Sequence, residues 1–273
     1  MTKTPPTLTD RAALMRNRQR ADLDRGMFLQ TLVADDIEDR LAMVNRDLTD
    51  IAIVTGFPDI WRARLPKATI VPDTDTLALT AKSHDLIIHA LALHWANDPV
   101  GQLIQCRHAL KDDGLLLTAS FGGQTLQELR ACLAQAESEL TGGLSPRILP
   151  MGEIRDLGAL LQRAGFALPV ADSLPLDVSY ETSLDLMKDL RAMGENNALF
   201  ARRKSLSTKA LFARTEDLYR QSFTENHRLK ATFEIIFMTG WTPDESQPKP
   251  LRPGSASARL ADALKTSETK LKP

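Results

Sequence analysis

Apolar positions set the layout of this chain. Asp85-Leu-Ile-Ile-His89 is an apolar run of strand length, Pro99 to Leu110 carries apolar residues at helical spacing, and Leu115-Leu-Leu-Thr-Ala-Ser120 is a second apolar run. Strand, helix and strand without polar alternation predict parallel pairing in a sheet covered on both faces, because a strand with one wet face would alternate. The segment Ala92-Leu-His-Trp-Ala-Asn-Asp-Pro99 then follows the carboxyl end of the first strand, where open α/β sheets place ligands.

The same pattern extends in both directions. Phe28, Leu32, Ile37, Leu41 and Val44 recur at helical spacing with Asp35, Asp36, Glu38 and Asp39 on the other faces, which predicts a helix packed on the sheet. Asp50-Ile-Ala-Ile-Val-Thr-Gly56 reads as the first sheet strand, closed by a glycine that permits a tight turn. Beyond Ser120, Thr125 and Glu128 have capping-box spacing for a helix over 125–140 that ends at Gly142-Gly143. Glu153 to Ala164 forms a second amphipathic helix stopped by Gly165, and Phe166 to Val178, interrupted by Pro169 and Pro175, suits an edge strand or hairpin arm. Leu184 to Met193 and Leu206 to Phe223 are helical patterns around the polar turn Gly194-Glu-Asn-Asn197, and Ala231 to Trp241 is a strong strand. Residues 1–9 are Pro/Thr-rich and read as loose, and the proline-rich stretch from Pro243 reads as an extended tail with a disordered ETKLKP end.

This layout divides the chain into an N-terminal helical segment (1–49), an α/β domain (50–242) with a helical insertion at 180–230, and a C-terminal tail (243–273). The 43% hydrophobic and 25% charged content is that of an ordinary globular protein, and a net charge of −1 argues against general nucleic-acid binding. Cys106 and Cys132 have no metal or disulfide spacing, so a reducing compartment is expected. The start lacks the apolar core of a signal peptide and no run reaches membrane-span length, so the expected location is the cytoplasm. Arg11, Arg16, Arg18 and Arg20 punctuate a helical segment; they read as a solvated face, with a lid or a docking surface for an acidic partner as the alternative. Arg202-Arg203-Lys204 reads as a solvated helix start, with contact to an acidic partner as the alternative.

His94, Trp95 and Asp98 form the sharpest polar cluster. His94 and Asp98 are suited to acid/base work or to two metal positions; alternatively His94 and Trp95 floor a pocket while Asp98 caps the helix at Pro99. Two ligands without a third make no metal site. Gly122 and Gly123 would let another backbone approach the end of the Leu115–Ser120 strand, with Thr125, Glu128, Arg130, Tyr219 and Trp241 as candidates to line the same mouth. Hydrolase, Walker and paired zinc-ligand motifs are absent.

Leu93-His94-Trp95-Ala-Asn97-Asp98, followed by Ala109-Leu-Lys-Asp-Asp-Gly114, resembles the fourth and fifth strands of class I S-adenosylmethionine-dependent methyltransferases. Phe121-Gly-Gly-Gln-Thr-Leu-Gln-Glu-Leu-Arg130, Gly142-Gly-Leu-Ser-Pro146, Asp156-Leu-Gly158, Arg163-Ala-Gly-Phe166, Met193-Gly-Glu-Asn196 and Gly240-Trp241 are more narrowly similar to the methyltransferase-like assembly factor of respiratory complex I. That factor's mitochondrial member is assigned as a protein-arginine hydroxylase. The resemblance implies an α/β, Rossmann-like, mostly parallel sheet with an antiparallel last strand, shortened in its first half, plus a helical insertion. It also implies S-adenosylmethionine beside Gly56, Asp73, Asp75, His94 and Trp95, a substrate beside Gly122, Gly123, Thr125 and Trp241, and a protein partner that is a complex I subunit.

One region departs from the family. The turn Thr55-Gly56-Phe57-Pro58-Asp59-Ile60-Trp61 has one glycine, a bulky ring and a proline without an N–H, where active methyltransferases have several glycines. Too little chain separates Gly56 from Asp85 for two further strand–helix units, so a strand, a helix and the ribose-binding acidic residue are expected to be lost. Asp73 and Asp75 then read mainly as solvated turn residues, and Phe57 or Trp61 as fillers of the adenosyl pocket. The expected function is that of an assembly protein with a degenerate cofactor site; the alternative is an active S-adenosylmethionine-dependent transferase. Arginine hydroxylation rests on the resemblance alone, because no residue here supplies an oxidant.

Overall fold

The structure, a computed structural model, describes residues 7–248. Two helices lead the chain, α1 (Arg11–Gln19) and α2 (Phe28–Ala42). The first half of the sheet then alternates β1 (Ile51–Thr55), α3 (Pro58–Arg64), β2 (Thr69–Val71), β3 (His84–Ala90), α4 (Pro99–Ala109) and β4 (Leu110–Phe121). The second half runs α5 (Gln127–Thr141), α6 (Ile154–Arg163), β5 (Ala167–Tyr180), α7 (Ser183–Ala192), α8 (Lys209–Ser222), β6 (Thr224–Glu225) and β7 (Arg228–Trp241).

The main strand order is β2-β1-β3-β4-β7-β5. The β2-β1-β3-β4 part is parallel, and β7 inserts antiparallel between β4 and β5. Pairing of Ile53 with Ile88, and of Ile88 with Leu117, aligns one row of side chains across the sheet. That row packs with α2, α5 and α8 through Val33, Leu129 and Tyr219. The alternate row of Val54, Ile87 and Leu116 faces Leu103 of α4 and Leu161 of α6. Strands buried on both sides have no polar face, and this is why their apolar runs show no alternation. β5 lies at the sheet edge, where Pro169 and Pro175 remove donors that only an inner strand would need.

Several expectations change. Residues 7–10 are tied down: Thr9 is buried and bridges Leu199, and the Leu8 and Thr9 N–H groups donate to Asn97 Oδ1 at 2.9 and 2.8 Å. The capping box does not form. Leu126 caps α5 in a left-handed conformation, φ 55°, because its N–H reaches across to the Thr232 carbonyl of β7. Thr125 Oγ1 instead bonds both backbone groups of Glu234, and Glu128 accepts from Thr232. Tertiary partners outcompete the local cap because they satisfy two buried groups each. Arg202 is not a free helix start but pairs with Asp10 at 2.9 Å. The expected loose start at residues 1–6 and the tail from 249 onward lie outside the described residues.

Described residues up to Pro243 form one compact unit, and a second unit begins at Asp244. Phe237 is fully buried in β7, with the Arg40 guanidinium 4.1 Å from its ring centroid. Phe237→Ala is expected to cost ~3–5 kcal/mol, lowering the urea midpoint with little change in slope. A loss under ~1 kcal/mol would show that the face between α2 and β7 is not close-packed.

Candidate functional site

The chain reverses its direction of winding at β1, which has β2 on one side and β3 on the other. A crevice therefore opens between the carboxyl ends of β1 and β3, the usual ligand position in such sheets. Thr55-Gly56 closes β1, and Leu91 to Asp98 follows β3. Leu91 holds φ 42°, an unfavourable region for a branched side chain, stabilised by its N–H bond to Ala119 of β4 at 2.9 Å. Asp98 caps α4, accepting from the Gly101 N–H at 2.8 Å, which is one of the two roles its sequence position allows.

Arg18 of α1 lies against Gly56 in the crevice. A Cβ on Gly56 would lie 2.4 Å from the Arg18 guanidinium carbon, so the absence of a side chain is what lets the group lie there. Arg18 Nη1 donates to Asp73 Oδ1 at 2.6 Å, and Arg11 Nη1 to Asp73 Oδ2 at 3.3 Å. Asp73 is 3% exposed, so the expectation of a solvated turn residue is corrected for it. Asp75 is exposed. Burial pushes the Asp73 carboxyl up, but the charge and hydrogen bond of Arg18, then those of Arg11, outweigh it and bring its pKa to about 2. β2 pairs beside β1 in the second-strand position, so Asp73 follows that strand by two residues. An acidic residue therefore does stand just past the strand beside β1. Neither expected filler enters the crevice: Trp61 is buried among the residues packed on α2, and the Phe57 ring turns toward Arg18 and Gly194.

On the other side of the crevice, His94 and Trp95 belong to a short 3-10 turn, Leu93–Trp95, after β3. The Phe121 N–H points at His94 Nδ1 from 3.5 Å, which puts the imidazole proton on Nε2, 3.6 Å from Glu195 Oε2. Trp95 Nε1 donates to the same oxygen at 2.7 Å. Glu195 Oε1 is buried and has no partner among the described residues. It borders a cavity of about 290 Å³ whose walls include Phe121, Leu129, Met187, Phe212 and Phe233. Glu195, which dominates this side, was visible in sequence only as part of Met193-Gly-Glu-Asn196; a carboxylate in a polar turn carries no mark of burial. Arg18 was likewise hidden among solvated-looking arginines.

Of the expected substrate residues, Thr125 lines this cavity. Gly122 and Gly123 do not offer free room, because Cβ atoms there would lie 2.4 Å from Glu234 Oε2 and 2.2 Å from Glu153 Oε1. The chain's own carboxylates take that space. Trp241 is at the wrong end: it pairs with Leu115 at the start of the apolar part of β4, whereas Phe121 pairs with Ile235. Six residues of strand put the two positions ~20 Å apart. Glu128 and Tyr219 are buried structural groups, Tyr219 donating to the Lys230 carbonyl, and Arg130 donates to the Thr125 carbonyl. Among the described residues no group of three His, Cys, Asp or Glu could hold a metal ion.

Comparison with known proteins follows this geometry. No family model matches the chain. The mitochondrial arginine-hydroxylase NDUFAF5 of Danio rerio is 38% identical over 202 residues, 74% of this chain and 63% of that protein. The human protein of the same name is 38% identical over 199 residues, 72% and 57% of the two chains. A malonyl-[acyl-carrier protein] O-methyltransferase of a Methylovorus strain is 28% identical over 244 residues, covering 87% of this chain and 73% of that protein. A solved Bacillus halodurans C-125 protein assigned as a methyltransferase superposes with TM-score 0.50 at 15% identity, over 77% of this chain and 98% of that one. The chain belongs to the class I methyltransferase-like family.

It spans about 60% of the length of the NDUFAF5 proteins it matches. In the crevice of this class I methyltransferase-like chain a cavity of about 640 Å³ runs along Arg18, Gly56, Asp73 and Asp75. The guanidinium of Arg18 covers Gly56, Asp73 is already ion-paired, and Pro58 brings no N–H to the turn.

The Asp73 pKa of about 2 against its ordinary 3.8 is a depressed carboxylate, so it adds stability above about pH 4 that is lost as pH falls through 2. The shift corresponds to about 2 kcal/mol. Asp73→Asn should therefore destabilise the fold by ~2–4 kcal/mol at neutral pH, leaving two guanidinium groups without their counter-charge. The gap between mutant and parent in urea unfolding should narrow below pH ~3. A gap independent of pH would contradict the ion-pair assignment.

Proposed function

We propose that this chain is a protein-engaging member of the complex I assembly-factor branch of its family, taking a cationic side chain of a respiratory complex I subunit into the cavity under α7 and α8. Glu195 is the observation that carries this reading. A buried carboxylate with one oxygen unpartnered is unfavourable by an amount comparable to a lost charged hydrogen bond, and a guanidinium would satisfy it. Aromatic rings at Phe121 and Phe233 offer faces for the same cation in a cavity of about 290 Å³ that Arg147 and Arg191 also line. The name arginine-hydroxylase carried by the 38%-identical relatives agrees with a guanidinium as the favoured cation.

Cofactor use is weak in this reading. The support is the single-glycine turn with Pro58 and the guanidinium against Gly56. The buried Cys106 and Cys132 are free thiols, with burial pushing Cys106 up to about 12, and they fit a reducing compartment such as the cytoplasm. No described helix is long and apolar enough to cross a membrane. The division at 1–49, 50–242 and 243–273 is kept as the working domain assignment.

A second reading, an active S-adenosylmethionine-dependent transferase on a protein or small-molecule acceptor, is favoured by Asp73 at the end of β2 and by the Methylovorus O-methyltransferase relative. Methyl transfer mainly requires alignment, so the lack of paired acid/base groups does not count against it. Micromolar affinity of the unaltered protein for S-adenosylmethionine would favour this reading.

The test of the first reading is fluorescence anisotropy with a short acetylated peptide carrying one arginine. Saturable binding is expected, weakened about tenfold, or about 1.4 kcal/mol, both by citrulline in place of arginine and by Glu195→Gln. Equal affinity for the arginine and citrulline peptides would rule out a cation site.

A further inference from the structure

The cavity beside Glu195 holds a second charge that the cation reading leaves unused. We infer that Arg191 is an anion subsite at its mouth, so that the cavity takes an arginine side chain flanked by an acidic residue. The inference rests on the cation reading of Glu195 and narrows the partner that reading admits.

Arg191 and Glu195 are four residues apart, a spacing that on a continuous helix would let the two charges neutralise each other. The helix does not continue. α7 ends at Ala192, and Gly194 adopts φ 76°, a left-handed conformation that a Cβ would disfavour. The Gly194 N–H donates to the Arg191 carbonyl at 3.1 Å and the Glu195 N–H to the Leu190 carbonyl at 2.9 Å, the paired bonds that close a helix and reverse the chain. Glu195 is thereby turned inward. Trp95 Nε1 holds its Oε2 at 2.7 Å, and its side chain is 9% exposed. Arg191 stays exposed on the last turn of α7.

Both residues line the same cavity, and each keeps capacity that the fold does not use. Glu195 Oε1 is buried without a partner among the described residues. Arg191 makes no ion pair or side-chain hydrogen bond among the described residues. The other guanidinium of the wall, Arg147, is already committed: Nε and Nη2 donate to Glu137 at 3.1 and 2.6 Å, and Nη1 donates to Ser207 at 3.0 Å. Arg191 is therefore the positive charge left for a ligand.

The two charges differ in depth, and this orders what can enter. A ligand with only a cation satisfies Glu195 and gains nothing from Arg191. One with only an anion meets Arg191 but leaves the buried Glu195 oxygen unpartnered. An arginine that enters the cavity while an acidic neighbour stays at the mouth satisfies both. A lysine neighbour would instead place like charge against Arg191, so the same residue selects against basic flanks.

Fluorescence anisotropy tests this with acetylated, amidated peptides in which one arginine lies between two glutamates, two glutamines or two lysines. The parent protein should bind the glutamate peptide about fivefold more tightly than the glutamine peptide, the size of effect a solvent-accessible charge pair gives. That ratio should fall below about twofold in Arg191→Gln and invert in Arg191→Glu, which should favour the lysine peptide. Equal affinity of the parent for the glutamate and glutamine peptides overturns the anion subsite. A glutamate preference that persists in both Arg191 variants overturns its assignment to Arg191. Replacing the arginine by citrulline between the two glutamates separates the underlying reading: if affinity is unchanged, the cation site at Glu195 fails, whatever the flanks do. No saturable binding of any of these peptides at millimolar concentration overturns both.

Discussion

A carboxylate removed from water must be met by positive charge, and in this molecule that requirement, at Asp73, governs how the N-terminal segment sits on the sheet. Asp73 is 3% exposed and accepts from both Arg11 and Arg18. Because the carboxylate is fixed from behind by α4 and β3, the arginines must come to it, and α1 is drawn across the carboxyl ends of the strands. A net charge of −1 conceals this, since formal charges sum over the chain whereas desolvation acts at one atom group.

The crevice and the apolar cavity are distinct environments built from a shared strap. Residues 192–202 hold α1 on one side and carry Glu195 into the cavity on the other. The crevice holds the Asp73 ion pairs; the cavity has aromatic and aliphatic walls together with Arg147, Arg191 and one half-satisfied carboxylate. Both retain room, about 640 Å³ along the crevice and about 290 Å³ beside Glu195.

Much of the architecture was legible from pattern. Doubly buried parallel strands must be apolar along their whole length, so β3, β4 and β7 announce themselves, and the prolines of β5 mark an edge. Asp98 before Pro99 encodes its own helix cap through contacts three residues apart. Thr125 and Glu128 have equally good local spacing, yet they serve β7, because partners distant in sequence satisfied them better. Trp241 shows the same limit in a strand: its residue type suits a site mouth, but antiparallel register carried it to the far end of the sheet.

What the sequence alone determined is the set of elements, the mostly parallel sheet and the likeness to a methyltransferase-like family, since these depend on periodicity and on motifs of adjacent residues. Which polar groups are buried, and against what, was decided only by the tertiary structure. Arg18, Asp73 and Glu195 stand in ordinary-looking polar stretches, and their importance arises because folding brings Arg18 to Asp73 at 2.6 Å and Glu195 to Trp95 at 2.7 Å. Those pairs are separated by 55 and 100 residues, a distance over which no local pattern carries information, whereas the cost of leaving a buried charge unpaired acts only once the chain has closed around it.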